Sequence, residues 1–305
     1  MTSNSAIDLS QLPAPDVVAQ IDYETILKEG LDDFHARMKE LGIDYVVLES
    51  DPAYKLAEAF AYREMLVRQT SNEQALAVLL AYANNNDLDH KAAERNLERK
   101  TISEATSTED AVLETDVSLR RRVQMSPESY TTAGSEGSYI FHGINADARV
   151  KDIYPYAPLD VEGYPKGICN IYVLSNESDG SAPEDLISIV DQNLNKKVIR
   201  PLTDYVQVYS ASILKYNIQA EIEVGEGPDA NVILQSAFTE IRKYAAQVHA
   251  FGSEPSLSGI YQALHRPGVT KVNLISPTSN ISTQIGQVAF CDSFNIYLKE
   301  IPNNE

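Results

Sequence analysis

The chain has 305 residues, of which 43% are hydrophobic, and this is typical of a soluble globular protein with two or three domains. Its 25 basic and 44 acidic residues give a formal net charge of −19, which disfavours nucleic acids and anionic membranes as partners. The longest apolar run, 75–83, has nine residues, whereas a membrane-spanning helix needs roughly 20. Residues 1–10 contain no Lys, no Arg and no apolar stretch, so we expect no secretory signal and a cytosolic start.

The N-terminal third of the sequence predicts helices. Residues 1–116 carry 23 acidic and 10 basic side chains, which marks this third as a separate acidic unit. A first short helix is predicted over 16–30, between Asp16 and Gly30. Asp51-Pro52 is typical of a helix start with proline in the first turn, and no Gly or Pro interrupts 53–84. The pattern predicts one long helix of about 32 residues, or roughly 48 Å.

The C-terminal end of this predicted helix is apolar on every side. A helix tolerates such a stretch, here 75–83, only where neighbours cover it from several directions. An α/β region of about 190 residues has a diameter of roughly 40 Å, so it cannot cover a helix of roughly 48 Å alone. We therefore expect a partner chain to bind the end of the helix that contains Leu76 and Leu80.

Residues 101–115, rich in Ser, Thr, Asp and Glu, predict a linker before an α/β region. The predicted domains are an N-terminal helical region (1–100), this linker, a middle α/β domain (116–212) and a C-terminal α/β domain (213–305). Helices are predicted over 116–125, 135–144, 184–194, 229–249 and 256–264. Strands are predicted over 149–154, 169–174, 204–210, 214–224, 271–275 and 287–298. The fold class is α+β: a helical segment with one long helix, followed by mixed α/β domains with small sheets.

A weak sequence similarity recurs within the chain at an offset of 122 residues, and we call it the sequence echo. The matching pairs are Gly137/Gly259, Tyr139/Tyr261, Val150/Val272, Ile153/Ile275 and Pro155/Pro277. Each copy has the order short helix, turn, strand and proline. The echo is compatible with a duplicated helix–strand module and also with two similar α/β connections.

One motif resembles the glycine-rich turn of a dinucleotide-binding site. Residues 225–230 match GxGxxA between a predicted strand and a predicted helix. The strand before them alternates apolar and polar residues, whereas the first strand of a Rossmann fold is buried on both faces. Pro228 also removes an amide donor that a phosphate would use. We predict an ordinary turn, with Asp229 capping the next helix, and no cofactor.

Catalytic and metal-binding patterns are absent from the sequence. Cys169 and Cys291 lie 122 residues apart with no CxxC motif, and the five histidines show no paired spacing. Ser135 lies in a near-match to a nucleophile elbow but follows a loop, which favours a helix start. The acidic cluster at 87–90 is interpreted as the N-terminus of a restarting helix. We predict no catalytic residue, no metal site and no enzyme activity.

Arg120-Arg121-Arg122 forms a basic run on a predicted helix. Such a run most often lies on a solvated helix face. An acidic patch on a partner, or the acidic N-terminal region, is the alternative neighbour.

Sequence blocks spread along most of the chain resemble one known family. They lie at 7–18, 21–27, 48–52, 61–64, 68–69, 72–73, 87–89, 119–120, 133–135, 150–152, 200–204, 257–258, 263–265 and 267–269, with Tyr139 between them. In this order they resemble the baseplate assembly protein J family of contractile-tailed bacteriophages and tailocins. The resemblance covers about 7–291, and it departs from the family pattern at a longer 159–167 loop.

The resemblance implies a structural baseplate wedge protein. Two copies are expected to associate with one tail protein of the I family, with their N-terminal helices in a shared bundle. Wedges then link around the central spike hub, near the lysozyme-like wedge protein, and their rearrangement triggers sheath contraction. The implied location is the host cytoplasm during assembly and then the baseplate of a virion tail or tailocin particle.

Together, the long helix and the resemblance give a candidate partner interface. Its residues are Tyr62, Arg63, Arg68, Asn72, Leu76 and Leu80. Two other functions remain open at this stage. One is an α/β enzyme or ligand-binding protein with a site built from scattered acids such as Glu221, Glu223 and Asp229. The other is the wedge subunit of a contractile injection system that is not a phage.

Overall fold

The computed structural model describes residues 7–299 apart from 8, 10, 11, 14, 19, 106–109, 132–133, 165 and 226–228. Within the described residues the chain forms two compact units. The N-terminal unit contains 7–99 and 115–123, and the C-terminal unit contains 100–114 and 124–299. The α+β fold class with small sheets is confirmed.

The N-terminal unit is helical. Its helices are α1 (Tyr23–Glu40), α2 (Pro52–Ala77), α3 (Asn85–Ala93) and most of α4 (Asp116–Met125). The predicted first helix over 16–30 was wrong at both ends. Asp22 provides the N-cap, because its carboxylate accepts a hydrogen bond of 3.1 Å from the Thr25 amide. Gly30 lies inside α1, at a cost of about 1 kcal/mol relative to alanine.

The long helix α2 is shorter than predicted. It has 26 residues, or about 39 Å, and ends at Ala77 rather than at residue 84. The chain then turns, and the Ala83 amide donates to the Leu79 carbonyl at 2.8 Å. Ala83 is fully buried and Leu80 packs beside it, in a cluster with Leu88, Ala92, Leu119 and Val123. The end of the apolar run thus packs into the core of its own unit, whereas Val78 and Leu79 stay 62% and 37% exposed.

The C-terminal unit contains the predicted α/β elements. A short antiparallel pair, β1 (Thr101–Ser103) and β2 (Val112–Leu113), lies within the predicted linker. The remaining elements are α5 (Glu136–Ala146), β3 (Val150–Tyr156), β4 (Ile168–Ser175), α6 (Glu184–Leu194), β5 (Tyr205–Ser210), β6 (Ser212–Val224), α7 (Ala230–Val248), α8 (Leu257–Leu264), β7 (Val269–Ser276) and β8 (Gln287–Leu298). Their ends agree with the predicted bounds within two residues.

Two three-stranded sheets organise this unit. The first has the order β3-β4-β5 and the second the order β7-β6-β8. In each, the central strand is antiparallel to one neighbour and parallel to the other. The two copies of the sequence echo correspond to α5–β3 and α8–β7, each a helix followed by the antiparallel edge strand. The echo thus matches two similar local structures, and a duplication stays a prediction.

The second sheet is buried on one face only. Ile218, Ala220 and Ile222 of β6 are fully buried against α7 and α8, whereas the residues between them point outward. This confirms the predicted half-exposed strand. Asp229 caps α7, because its carboxylate accepts a hydrogen bond of 2.9 Å from the Asn231 amide. The centre of the GxGxxA motif, 226–228, lies outside the described residues.

The two sheets share a small apolar cluster. Leu174, Ala211, Phe251 and Val288 are its buried members, and the rings of Tyr154 and Phe251 stack with centroids 5.6 Å apart. Ala211 alone separates β5 from β6. The predicted division at 212/213 falls at the first residues of β6. The division into two α/β domains stays a prediction, as does independent folding of the α/β region from about residue 115.

Candidate partner interface

Helices α1 and α2 pack against each other through a small core. Its fully buried residues are Ile26, Leu27 and Ala61. Tyr23, Leu31, Tyr54, Ala57 and Met65 are partly buried around them. A core of this size leaves much of both helices without cover from each other.

A second apolar face of α2 points away from this core. Leu56, Phe60 and Val67 are 57%, 63% and 68% exposed. Their spacing of four and seven residues puts them on one side of the helix, with Arg63 between them. We call these four residues the α2 stripe. Apolar residues at such spacing on two sides of one helix are typical of a helix that packs against two neighbours.

A groove runs between α1 and α2 beside the stripe. Its volume is about 270 Å³, and its lining is Ile26, Gly30, Phe34, Ala53, Leu56, Ala57, Phe60, Ala61 and Glu64. A Cβ atom at Gly30 would have no heavy atom within 4 Å, so glycine leaves this part of the groove open. Leu56 and Phe60 belong to both the groove and the stripe. The two features together could accept side chains from another helix.

Ion pairs connect and flank the two helices. Arg68 on α2 lies 3.8 Å from the Glu29 carboxylate on α1 and also pairs with Glu64. Lys55 pairs with Glu58 at 3.0 Å on the surface of α2. Exposed pairs of this kind contribute at most about 1 kcal/mol each. Arg68 therefore helps to align the helices more than it stabilises them.

The six predicted interface residues do not form one continuous surface. Tyr62 and Arg63 are exposed, and Arg63 lies within the α2 stripe. Arg68, Asn72 and Leu76 follow one another at intervals of four residues and share another face, about 140–180° from Arg63. Leu80 lies beyond the end of α2 and packs into the cluster of its own unit.

Arginine side chains hold the turn that follows α2. Arg120 donates from Nε to the Leu80 carbonyl at 2.9 Å, and its Nη2 atom donates to the Ala83 carbonyl and to Asn84. Arg122 is 5% exposed and donates to the Glu98 carbonyl. The predicted solvated face for Arg120 and Arg122 was therefore wrong. These guanidinium groups bind backbone carbonyls, including two in the turn beyond the helix end.

A second polar clamp ties α3 to α4. Arg99 lies 2.8 Å from the Asp89 carboxylate and 2.7 Å from the Asp116 carboxylate. Asp116 also accepts a hydrogen bond of 3.0 Å from the Asn85 amide, at the start of α3. This amide, followed by Arg99, lowers the pKa of Asp116. The predicted helix restart near 87–90 is confirmed as α3.

The acids named for the alternative site serve separate structural contacts. Glu221 accepts a hydrogen bond of 3.0 Å from Asn273, and Glu223 pairs with Lys299 at 2.7 Å. Asp229 caps α7. Among the described residues, no group of three or more His, Cys, Asp or Glu side chains is placed to hold a metal ion.

Other residues that were candidates for chemistry have structural positions. Ser135 caps α5 by accepting a hydrogen bond of 3.2 Å from the Ser138 amide. Burial raises the pKa of the Cys169 and Cys291 thiols to about 11, which keeps both protonated near neutral pH. None of the helices in the described part of the chain is both long and apolar enough to cross a membrane.

Three interface candidates were missed by sequence reasoning. Leu56, Phe60 and Val67 were hidden because α2 also carries apolar residues on its α1-facing side. The available signal was a double pattern, in which Ala57, Ala61 and Met65 mark one face and the α2 stripe marks the other. The sequence instead favoured the apolar run at 75–83 as the partner-binding part of the helix, although much of this run is covered within its own unit.

Comparison with known proteins finds similarity to baseplate proteins. Residues 49–106, which include all of α2, match the family described as the Baseplate J-like N-terminal domain. The chain is similar to "Baseplate protein J" of Escherichia phage P2, with 39% identity over 298 residues. The alignment covers 95% of this chain and 97% of the phage P2 protein.

Proposed function

Because the chain belongs to the baseplate protein J family, we propose that it is a wedge subunit of a contractile-tail baseplate. Membership supports a structural role in a phage baseplate. The finer proposal is that two copies join one tail protein of the I family through their N-terminal helices. The resulting wedges would link around the spike hub, near the lysozyme-like wedge protein, and their rearrangement would trigger sheath contraction.

The observation that carries this proposal is the α2 stripe. Each large apolar side chain left in water forgoes about 1.5–3 kcal/mol of burial. Leu56, Phe60 and Val67 are all more than half exposed and lie along one side of the helix. A helix from a partner would cover them, and Arg63 within the stripe would favour a partner with an acid at the facing position. We propose the I-family tail protein as this partner.

The six residues predicted from the sequence take different parts in this proposal. Arg63 lies within the stripe and would contact the partner directly, whereas Tyr62 is exposed about 100° further round the helix. Arg68 would hold α1 in place beside α2 through Glu29. Asn72, Leu76 and Leu80 would support the C-terminal end of α2 from inside the unit, since Leu76 and Leu80 are half-buried.

The site of action would be the host cytoplasm during assembly and the baseplate afterwards. A tailocin particle or a contractile injection system that is not a phage would use the same interface. An enzyme built on Glu221, Glu223 and Asp229 is the weaker candidate, because these side chains serve separate contacts.

A pull-down experiment tests the interface. The double variant Phe60→Asp, Val67→Asp of the full chain is co-expressed with a tagged tail protein of the I family. We expect loss of the complex, because carboxylates would replace two of the three apolar contacts of the stripe. Val117→Asp, on an exposed position of α4 in the same unit, is the matched control and should retain the complex. Wild-type stoichiometry with the double variant would contradict the interface.

A further inference from the structure

A cavity of about 350 Å³ lies where the two sheets of the C-terminal unit come together. It is bounded by α7, by β8, by the start of β3 and by the end of β4 with the loop that follows it. Two basic side chains, Lys151 and Arg242, are in its lining, and no described Asp or Glu residue lines it. We call this cavity the sheet-junction pocket. It is locally positive in a chain whose net charge is −19.

One side of α7 faces the pocket. Arg242, Ala245, Ala246 and His249 are in the lining, and they lie three or four residues apart along the helix. Side chains at this spacing share one side of a helix. The two alanines leave open space between the larger side chains of Arg242 and His249. The pocket therefore has a cation at one end of this helix side and an aromatic ring at the other.

The opposite wall is largely apolar. Phe290 and Phe294 of β8 line it, and the ring of Phe290 packs edge-on against His249, with centroids 5.3 Å apart. The Nδ1 atom of His249 donates to the Ala289 carbonyl at 2.9 Å, since a carbonyl oxygen can only accept. Burial lowers the pKa of His249, which favours the neutral imidazole. His249 thus adds a wall rather than a charge.

Lys151 is the partly buried cation of the pocket. Burial lowers the pKa of its amine, and the charge of the adjacent Asp152 opposes this shift. The Asp152 carboxylate accepts a hydrogen bond of 3.3 Å from the Phe251 amide, and Asp179 pairs with Lys215 at 3.1 Å. Neither acid lines the pocket. A ligand anion beside Lys151 would offset the desolvation of its ammonium group.

The loop after β4 gives the pocket a fixed wall. The Ser175 amide donates to the Gly180 carbonyl at 2.8 Å, and the Gly180 amide donates to the Glu177 carbonyl at 3.0 Å. Gly180 has φ +99°, and a Cβ atom there would lie 2.8 Å from Nε2 of His249. Glycine therefore leaves the imidazole its place. A wall ordered in this way loses little conformational entropy when a ligand binds.

We propose that the sheet-junction pocket binds an organic carboxylate that carries an apolar group. The carboxylate would lie beside Lys151 and Arg242, and the apolar group would pack on Phe290 and Phe294. A volume of about 350 Å³ is near the lower limit for ligand pockets, which suits a group of the size of one aromatic amino acid. Two sources supply such a group: a free organic acid and the C-terminal residue of a peptide chain.

The chemistry of the lining favours a carboxylate over a phosphate. Phosphate sites typically use several backbone amides or a cluster of arginines, whereas this lining has one arginine, one lysine and two phenylalanine rings. The pocket uses no residue of the α2 stripe. The proposal therefore goes beyond the baseplate role, and either proposal can fail without the other.

Ligand-observed NMR titrations of the purified full chain test the proposal. The probes are 3-phenylpropionate for a free acid and N-acetylglycyl-phenylalanine for a peptide C-terminus. We expect at least one of them to bind with a Kd of about 1 mM or below. The matching amides lack the negative charge and should bind about tenfold more weakly or worse. The probe with the lower Kd identifies the source.

Single substitutions then locate the site. Arg242→Met and Lys151→Met should each raise the Kd of the better probe about tenfold. Lys243→Met is the matched control, because this exposed neighbour on α7 lies outside the lining and carries the same charge. Its Kd should equal that of the wild type. Ala246→Trp would fill the pocket and should abolish binding. Positions 242 and 246 are exposed, so the melting temperature should not change.

Three outcomes would overturn the proposal. One is no binding of either probe at about 10 mM. Another is an equal loss of affinity in the Arg242→Met and Lys243→Met variants, which would indicate general attraction by charge. The third is inorganic phosphate binding as tightly as the better probe, which would show that the apolar wall contributes nothing.

Discussion

The two units of the chain are stabilised in different ways. In the C-terminal unit, a cluster of thirteen buried residues fills the space between the second sheet and its helices. In the described part of the N-terminal unit, the clusters have three and five buried residues. That unit relies more on arginine clamps and leaves apolar side chains of α2 in solvent. From this difference we expect the C-terminal unit to be the more stable of the two.

The largest expected effect is the loss of a core side chain in the C-terminal unit. Ile241→Ala removes a fully buried side chain of α7 and should destabilise that unit by about 3 kcal/mol. Leu27→Ala, in the smaller cluster between α1 and α2, should cost its unit only about 2 kcal/mol, at the low end of the range for a buried leucine, because few other buried residues surround it. Hydrogen exchange measured by mass spectrometry reports each unit separately. Equal losses of stability in the two units would contradict the difference between them.

An intermediate effect is expected from the clamp between α3 and α4. Arg99→Met leaves Asp89 and Asp116 without their shared partner and should destabilise the N-terminal unit by about 2 kcal/mol. Lys91→Met removes an exposed pair with Glu94 and is the control, with an expected cost below about 0.5 kcal/mol. Denaturant-dependent hydrogen exchange of α3 checks both values. A similar cost for the two variants would show that the clamp contributes no more than a surface pair.

The smallest expected effect concerns pH. The pKa of Asp116 is lowered in the folded state, first by the Asn85 amide and then by Arg99. A carboxyl with a lowered pKa contributes stability above its unfolded value, near 3.9, and loses it as pH falls through the folded value. Acid should therefore destabilise the N-terminal unit of the wild type more steeply than that of Asp116→Asn. Exchange of α3 amides between about pH 5 and pH 3 measures this difference, and parallel curves would contradict it.

Sequence reasoning succeeded where the controlling interactions are local. The helices of the C-terminal unit begin at capping residues such as Ser135, Asp229 and Ser256, which bind amides two or three residues further along. The alternation on β6 likewise predicted its buried and exposed faces. Such signals are contained within a few residues of the sequence, so no tertiary information is needed to find them.

Sequence reasoning failed where contacts between residues far apart in the sequence determine where an element ends. The end of α2 is set by contacts with Arg120, which is 40 residues from Leu80 in the sequence. Propensity alone favoured continuing the helix through the apolar run, because nothing nearby breaks it. The burial of Leu80 and Ala83 against α3 and α4 outweighed that preference. The same misjudgement drew attention to the run and away from Leu56, Phe60 and Val67.

The direct passage from β5 into β6 has a mechanical consequence. Ala211 is buried, its amide donates to Val173 in the first sheet at 2.8 Å, and the Ser212 amide donates to Gly286 beside the second sheet at 2.9 Å. Two sheets joined through one anchored residue have no hinge between them. We expect the two sheets to turn together, so that a displacement of β5 is passed on to β6. Any pivot within the C-terminal unit is therefore expected to lie outside this junction.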